Sequence, residues 1–162
     1  MKIAVFSDSH GNLENMLTAA EKICPDCIIH LGDYAGDARE LRRRTKLPVY
    51  FVRGNCDRIT DGRSETIMQL EGKMLMLCHG HKYNVKNGYG ELTSAAKSKC
   101  VDVALFGHTH RAWQERNGET LIFNPGTVSG RGETTCGVLE IKSGGFEYWF
   151  MQLENGEWTE LR

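Results

Sequence analysis

The residues able to do chemistry in this chain gather in five short clusters: Asp8-Ser9-His10, Gly32-Asp33, Gly54-Asn55-Cys56-Asp57, His79-Gly80-His81 and Gly107-His108-Thr109-His110. Taken singly, each is weak, because Gly-Asp and Gly-Asn are ordinary turn dipeptides and His-x-His pairs occur by chance. Taken together, Asp8, His10, Asp33, Asn55, His79, His108 and His110 offer carboxylate oxygens, imidazole nitrogens and one amide oxygen. That is the donor set of a metal site. Thiolates are too few for a soft cation and imidazoles too many for calcium or magnesium, so manganese, iron, zinc, cobalt or nickel fit. Seven donors exceed what one ion with an open position needs. Two divalent ions are therefore expected, with Asp33 the candidate bridge. A water held between two such cations loses its proton near neutral pH and is placed for in-line attack on phosphorus, while the ions accept the phosphate oxygens.

What joins the clusters is their position, since each stands where an apolar run stops. Lys2 to Phe6 halts at Ser7-Asp8, Cys27 to Leu31 at Gly32-Asp33, Val49 to Val52 at Gly54-Asn55, Lys73 to Cys78 at His79, and Val101 to Phe106 at Gly107-His108. Short apolar runs bounded by turn residues read as buried strands. In an open α/β sheet, ligands bind in the crevice beyond the carboxyl ends of the strands. Between the first strands, Leu13, Met16, Leu17, Ala20 and Ile23 repeat at helical spacing over 12–23 until Pro25, and the charged stretch 37–44 reads as a short exposed helix. The alternation of strand and helix predicts a parallel α/β sheet. From residue 66 the pattern changes: 66–70 and 73–78 flank Glu71-Gly72 as an antiparallel hairpin. A helix over 90–99 follows, and the turns at Asn117-Gly118, 130–132, Gly144-Gly145 and Asn155-Gly156 mark consecutive strands. The expectation is one α/β domain over 1–162 with a mixed, partly antiparallel second half and two packed sheets.

Composition narrows the classes. The 162 residues suffice for one hydrophobic core, and 20 basic against 21 acidic side chains give a formal charge of -1. No bulk field draws such a chain to nucleic acid or an anionic membrane. The apolar start before Ser7-Asp8 is too short for a secretory core, and no apolar run approaches the ~20 residues that span a bilayer. A cytoplasmic protein with reduced thiols is expected. Of the six cysteines, only Cys24-Pro25-Asp26-Cys27 forms a close pair; it lies after a helix rather than at a helix N-terminus, so a structural role is expected. His30, inside a strand, reads as a core residue, and His81 as a hydrogen-bonding support for the ligands. Arg42-Arg43-Arg44 reads as the solvated face of its helix. Phe146, Tyr148, Trp149 and Phe150 suit core, which leaves homo-oligomer formation open.

The blocks D-x-H, G-D, G-N-C-D, a further histidine and G-H-x-H stand from Asp8 to His110 in the order found in the calcineurin-like metallophosphoesterase family, which the chain resembles. Its size and Cys56 are similar to the small bacterial and archaeal phosphodiesterase branch, and Asn124-Pro125-Gly126-Thr127 resembles that branch's Asn-Pro-Gly-Ser turn. The resemblance implies a four-layer α/β/β/α sandwich of two mixed sheets flanked by helices. It implies a first ion on Asp8, His10, Asp33 and His110 and a second on Asp33, Asn55, His79 and His108; of the metals that fit the donors, manganese is the one expected, with iron, nickel, zinc or cobalt as alternatives. Cys56 and Asp57 become the candidate catalytic positions. Larger members carry, in place of Cys56, a histidine that contacts the phosphate or protonates the leaving group. Its loss argues against rapid monoester hydrolysis and for small phosphodiesters, nucleotide-derived among them. Asp57 is expected to orient its neighbours, and Lys82, Tyr83 and Arg131 to flank the site. The alternatives are a non-catalytic protein-binding scaffold, as in the retromer subunit that shares this fold, or a phosphomonoesterase, protein phosphatase or dinucleoside-polyphosphate hydrolase.

Overall fold

Strand β1 (Lys2–Phe6) pairs in parallel with β2 (Cys27–His30), and β2 in parallel with β3 (Val49–Phe51), with Ile3 opposite Cys27 and Ile28 opposite Val49. The computed structural model describes residues 1–161. Between β1 and β2 runs α1 (Leu13–Ile23), opened by Asn12, whose side chain accepts from the Asn15 N–H at 3.2 Å, and closed by Cys24 in a left-handed conformation ahead of Pro25. It buries Met16, Ala19, Ala20 and Ile23; each large apolar side chain so buried contributes roughly 1.5–3 kcal/mol. The next helix, α2 (Ala35–Thr45), begins two residues before the charged stretch that marks it in the sequence. It is not simply exposed. Ala35, Ala38 and Leu41 are buried, while Arg42, Arg43 and Arg44 lie in its last turn, where cations suit the helix dipole. Arg43 pairs with Glu40 at the surface.

The second half builds another sheet. Strands β4 (Glu65–Leu70) and β5 (Lys73–Cys78) form the expected hairpin, and both turn residues, Glu71 and Gly72, have positive φ of 46° and 78°, the signature of a type I′ turn. Helix α3 (Gly90–Ser98) leads to β6 (Val103–Leu105), followed by β7 (Ala112–Asn117) and β8 (Thr120–Pro125). Strand β9 (Thr135–Lys142) then returns to pair antiparallel with β1, setting Leu139 opposite Ile3, and carries β10 (Gly145–Glu154) and β11 (Glu157–Leu161). Among the described residues the strand orders are β11-β10-β9-β1-β2-β3 and β4-β5-β6-β8-β7. Both sheets are mixed.

Period-two alternation divides the apolar residues among three cores. Ile3, Val5, Ile29 and Leu31 meet Leu75, Leu77, Leu105 and Phe123 between the sheets. Ala4, Phe6 and Val138 meet Met16, Leu41 and the Trp158 of β11 beneath α1 and α2. Met76, Ala104, Phe106 and Ile122 pack under Leu92 and Ala96 of α3. Three cores separate four layers, the α/β/β/α sandwich that the resemblance implies. Phe150 stacks on Phe123 with centroids 4.8 Å apart, and Phe146 and Tyr148 pack against the same core. All six cysteines are free thiols. Among the described residues no helix is long and apolar enough to cross a membrane.

Candidate metal centre

Backbone hydrogen bonds carry the strand pairing past the strand ends and seat the donor loops side by side. Leu31 N–H donates to Phe6 O at 2.8 Å, Asp8 N–H to Gly32 O at 3.0 Å, and Gly107 N–H to His79 O at 3.0 Å. Beyond these points the chain turns sharply. Asp8, His10, Asp33, His108 and His110 have φ of 53°, 46°, 56°, 71° and 59°, a left-handed conformation that non-glycine residues seldom adopt. It swings five of the seven expected donors out of the strand direction. Close approach depends on glycine: a Cβ at Gly54 would strike the Asp33 carboxylate, and one at Gly107 the Ser7 hydroxyl and Asp8 carboxylate.

The donors converge in overlapping groups. Donor atoms of Asp8, His10 and His110 lie within 4.8 Å of one another, as do those of Asp8, Asp33 and His79, and those of His10, Asp33 and Cys56. His110 Nε2 stands 3.1 Å from Asp8 Oδ1 and 3.4 Å from His10 Nε2. Asp33 Oδ2 is 3.9 Å from His10 Nε2 and 3.4 Å from His79 Nε2, so this carboxylate lies between the two halves. Asn55 Oδ1 is 3.1 Å from His79 Nε2. The His108 ring meets that of His79 at 5.0 Å between centroids, and its backbone N–H donates to Asp8 Oδ2 at 3.0 Å.

These contacts fit a cation. His79 Nδ1 faces the carbonyl oxygen of Leu31 at 2.8 Å, which can only accept, so Nδ1 carries the hydrogen and Nε2 presents its lone pair to the site. That lone pair looks onto the Asn55 oxygen and onto the carboxylates of Asp33 and Asp8, the last at 3.8 Å. Asp8 Oδ1 is buried and, apart from the nearby His110 Nε2, has no hydrogen-bond partner among the described residues. Electron-rich atoms so arranged repel unless positive charge sits among them. Without an ion, a proton supplies it: burial works against the His79 imidazolium, but the Asp33 and Asp8 carboxylates outweigh it and raise its pKa. Burial likewise raises Asp33, yet its contact with His79 and the Cys56 N–H hold the carboxyl well below the usual range. His108 moves the other way, to about 4, because burial and the charges of His79 and Lys86 disfavour its protonated form. Asp8, Asp33 and His79 are buried, whereas His10, His108 and His110 open the site to solvent.

The remaining candidates have clear places. Asp57 accepts from Tyr34 N–H at 2.9 Å and Ala35 N–H at 2.7 Å with Oδ1, and from Gly54 N–H at 2.8 Å with Oδ2. It therefore fastens the Asp33 and Asn55 loops to the N-terminus of α2. Cys56 donates its N–H to Asp33 Oδ1 at 2.9 Å, and burial together with Asp33 pushes its thiol up to about 11, so it stays protonated at neutral pH. His81 lies beside His79 and His108, with ring centroids at 5.5 and 6.1 Å, but its buried Nδ1 has no hydrogen-bond partner among the described residues. The expected supporting hydrogen bond is not formed through that atom. Lys82 and Tyr83 are engaged with Ser64 and Glu65, and the loop of Arg131 packs on Asn12 and Asn15 at the start of α1. His30 is buried and hydrogen-bonded to Ser9 and the Gly32 N–H, with its pKa lowered to about 4 chiefly by burial.

Several supports carry no mark in the sequence. Ser7 Oγ donates to Asp8 Oδ2. Asp37 on α2 accepts from Ser9 Oγ at 2.7 Å and Gly11 N–H at 2.8 Å, which braces the Asp8–His10 loop. The turn after β8 is visible in the sequence, though its purpose is not: Asn124 Nδ2 donates to Gly107 O, and Thr127 Oγ1 to Asp8 O.

The sequence profile of the calcineurin-like phosphoesterase superfamily domain matches residues 1–144, and the chain belongs to that family. It is 32% identical over 130 residues to the probable metallophosphoesterase YsnB of Bacillus subtilis, covering 79% of this chain and 75% of the relative. It is 30% identical over 168 residues to the phosphodiesterase YfcE of Escherichia coli, covering 86% and 88%, and the solved structure of that phosphoesterase superposes with a TM-score of 0.65. The fold is also that of a zinc-complexed Vps29 from Entamoeba histolytica, with a TM-score of 0.83 at 18% identity over 99% of this chain and 97% of that one.

Proposed function

We propose that this metallophosphoesterase is a phosphodiesterase that works with two divalent ions, manganese first among them and iron, nickel, zinc or cobalt as alternatives. The observation that carries the reading is the Asp33 carboxylate, set between His10 on one side and His79 on the other, with Asp8, His110 and Asn55 closing the two halves. Ions held there would turn a water into a nucleophile at neutral pH and offset the charge of the phosphate oxygens.

The chain's own residues supply placement. Asp8 and Asp33 hold positive charge at a buried spot, His79 keeps its Nε2 lone pair inward through Leu31, and Asp57 fixes the loop that presents Asn55 and Cys56. Cys56, where larger relatives carry a histidine, offers a neutral S–H, a much weaker acid than an imidazolium for an alkoxide leaving group. A diester with a good leaving group needs less protonation, which supports diesters over monoesters. The open rim at His10 and His110 suits a small substrate.

The test is metal analysis beside hydrolysis of bis-p-nitrophenyl phosphate in manganese. About two ions per chain are expected, with Asp33→Ala and Asn55→Ala losing ions and activity together. A strong preference for p-nitrophenyl phosphate would reject the diester assignment. A stoichiometric protein partner without any hydrolysis would favour the scaffold reading.

A further inference from the structure

Beside the donor loops lies a cavity of about 330 Å³ lined by Val85, Lys86, Tyr89, Thr109 and Arg111. Thr109 stands between the donors His108 and His110, and its hydroxyl is held by Asn124 Nδ2 at 3.0 Å. One wall of the cavity is therefore the donor loop itself. The rest of the lining is packed into the core: Val85 is buried, and the Tyr89 ring is packed on Trp113 at 4.1 Å and Phe106 at 5.2 Å between centroids. Two exposed cations, Lys86 and Arg111, complete the lining, and among the described residues neither has a carboxylate partner. What sets this pair apart from other exposed cations is that its cavity borders the donor loop at Thr109.

We propose that this cavity is a specificity subsite for a second phosphate group, carried by the substrate on a substituent of the scissile diester and bound by Lys86 and Arg111. The inference rests on the phosphodiesterase reading and adds a substrate class to it: diesters that bear a further terminal phosphate, such as a nucleoside bisphosphate ester. A neutral substituent of the same shape leaves both cations unmatched and gains nothing from them. Arginine and lysine at the rim of a preformed pocket are suited to this work, since charge-assisted hydrogen bonds to phosphate are about twice as strong as neutral ones.

Two p-nitrophenyl esters of thymidine 5′-phosphate, one with and one without a 3′-phosphate, differ only in the group in question. The manganese-loaded enzyme is expected to show kcat/KM about tenfold higher for the 3′-phosphorylated ester. The ratio should fall towards one in a Lys86→Gln, Arg111→Gln double variant and stay unchanged in Arg42→Gln, Arg44→Gln. Calorimetric binding of thymidine 3′,5′-bisphosphate against thymidine 5′-phosphate to metal-free protein reads the same preference without catalysis. A bisphosphate preference that the double variant abolishes supports the subsite even if neither ester is hydrolysed, an outcome that would remove the phosphodiesterase reading alone. Equal binding of the two nucleotides, or a preference that survives the double variant, overturns the subsite even where both esters are cleaved.

Discussion

A left-handed backbone at a non-glycine residue costs on the order of 1–2 kcal/mol, and this chain accepts that cost at Asp8, His10, Asp33, His108 and His110 together. Glycine at these positions would relieve the backbone and remove the donor, so the strain accompanies the chemistry. The neighbouring glycines make room for it. Gly54 is the sharpest case, because its Cα–H faces the Asp33 carboxylate with no space for a methyl group. Gly54→Ala should push Asp33 or the Asn55 loop aside, lowering metal affinity by about 10- to 100-fold while costing about 1–3 kcal/mol of stability. Metal titration followed by denaturant unfolding separates the two effects. Unaltered affinity would mean that the loop shifts freely and that the close approach has no bearing on the donors.

Among the elements, α2 and α3 are tied to the sheets by carboxylates of opposite importance. Asp57 joins α2 to the site. Glu65 on β4 joins the sheet edge to the end of α3, accepting from Lys99 Nζ and from the Tyr83 hydroxyl. Burial raises the Glu65 carboxyl, but Lys99 and Tyr83 together hold it below its ordinary value. Lys99 is raised, its partial burial being outweighed by Glu65. A lowered carboxyl contributes stability that is present above the unfolded value of about 4.3 and lost as pH falls through the folded value. The raised Lys99 contributes below about 10.4, a contribution lost as pH rises through its folded value. Both groups are partly solvated, so each limb amounts to about 1 kcal/mol or less. In urea unfolding at several pH values, Glu65→Gln should flatten the acid limb by that amount, and an unchanged slope would show that the pair contributes nothing to pH dependence.

For the whole molecule, two sheets meet at an edge where like charge and like lone pairs are crowded, so a cation that binds only the folded chain should stabilise it. At manganese one hundred times its dissociation constant, linkage gives about 2.7 kcal/mol, or roughly 5–10 °C in Tm for a chain of this length. A thermal scan with manganese against one with chelator measures the shift, which Asp33→Ala should abolish. A Tm indifferent to the metal would mean that the converged side chains do not hold manganese in the folded chain.

The sequence alone singled out the candidate donors, because only a few side chains bind first-row cations and each of these stands where an apolar run breaks. It also determined the alternation of strands and helices, since burial periodicity is a local property. The exposed helix drawn from the charged stretch 37–44 failed at its apolar face: three small or apolar residues within a charged run carry too little signal until a sheet lies beneath them. Tertiary structure decided what no spacing encodes. Asp33 falls between His10 and His79, Asp57 is turned onto backbone N–H groups, and Lys86 and Arg111 come to line one cavity. Most of these contacts join residues at least 22 positions apart and depend on how the strands and sheets pack, a relation in space that a linear pattern of polarity does not contain.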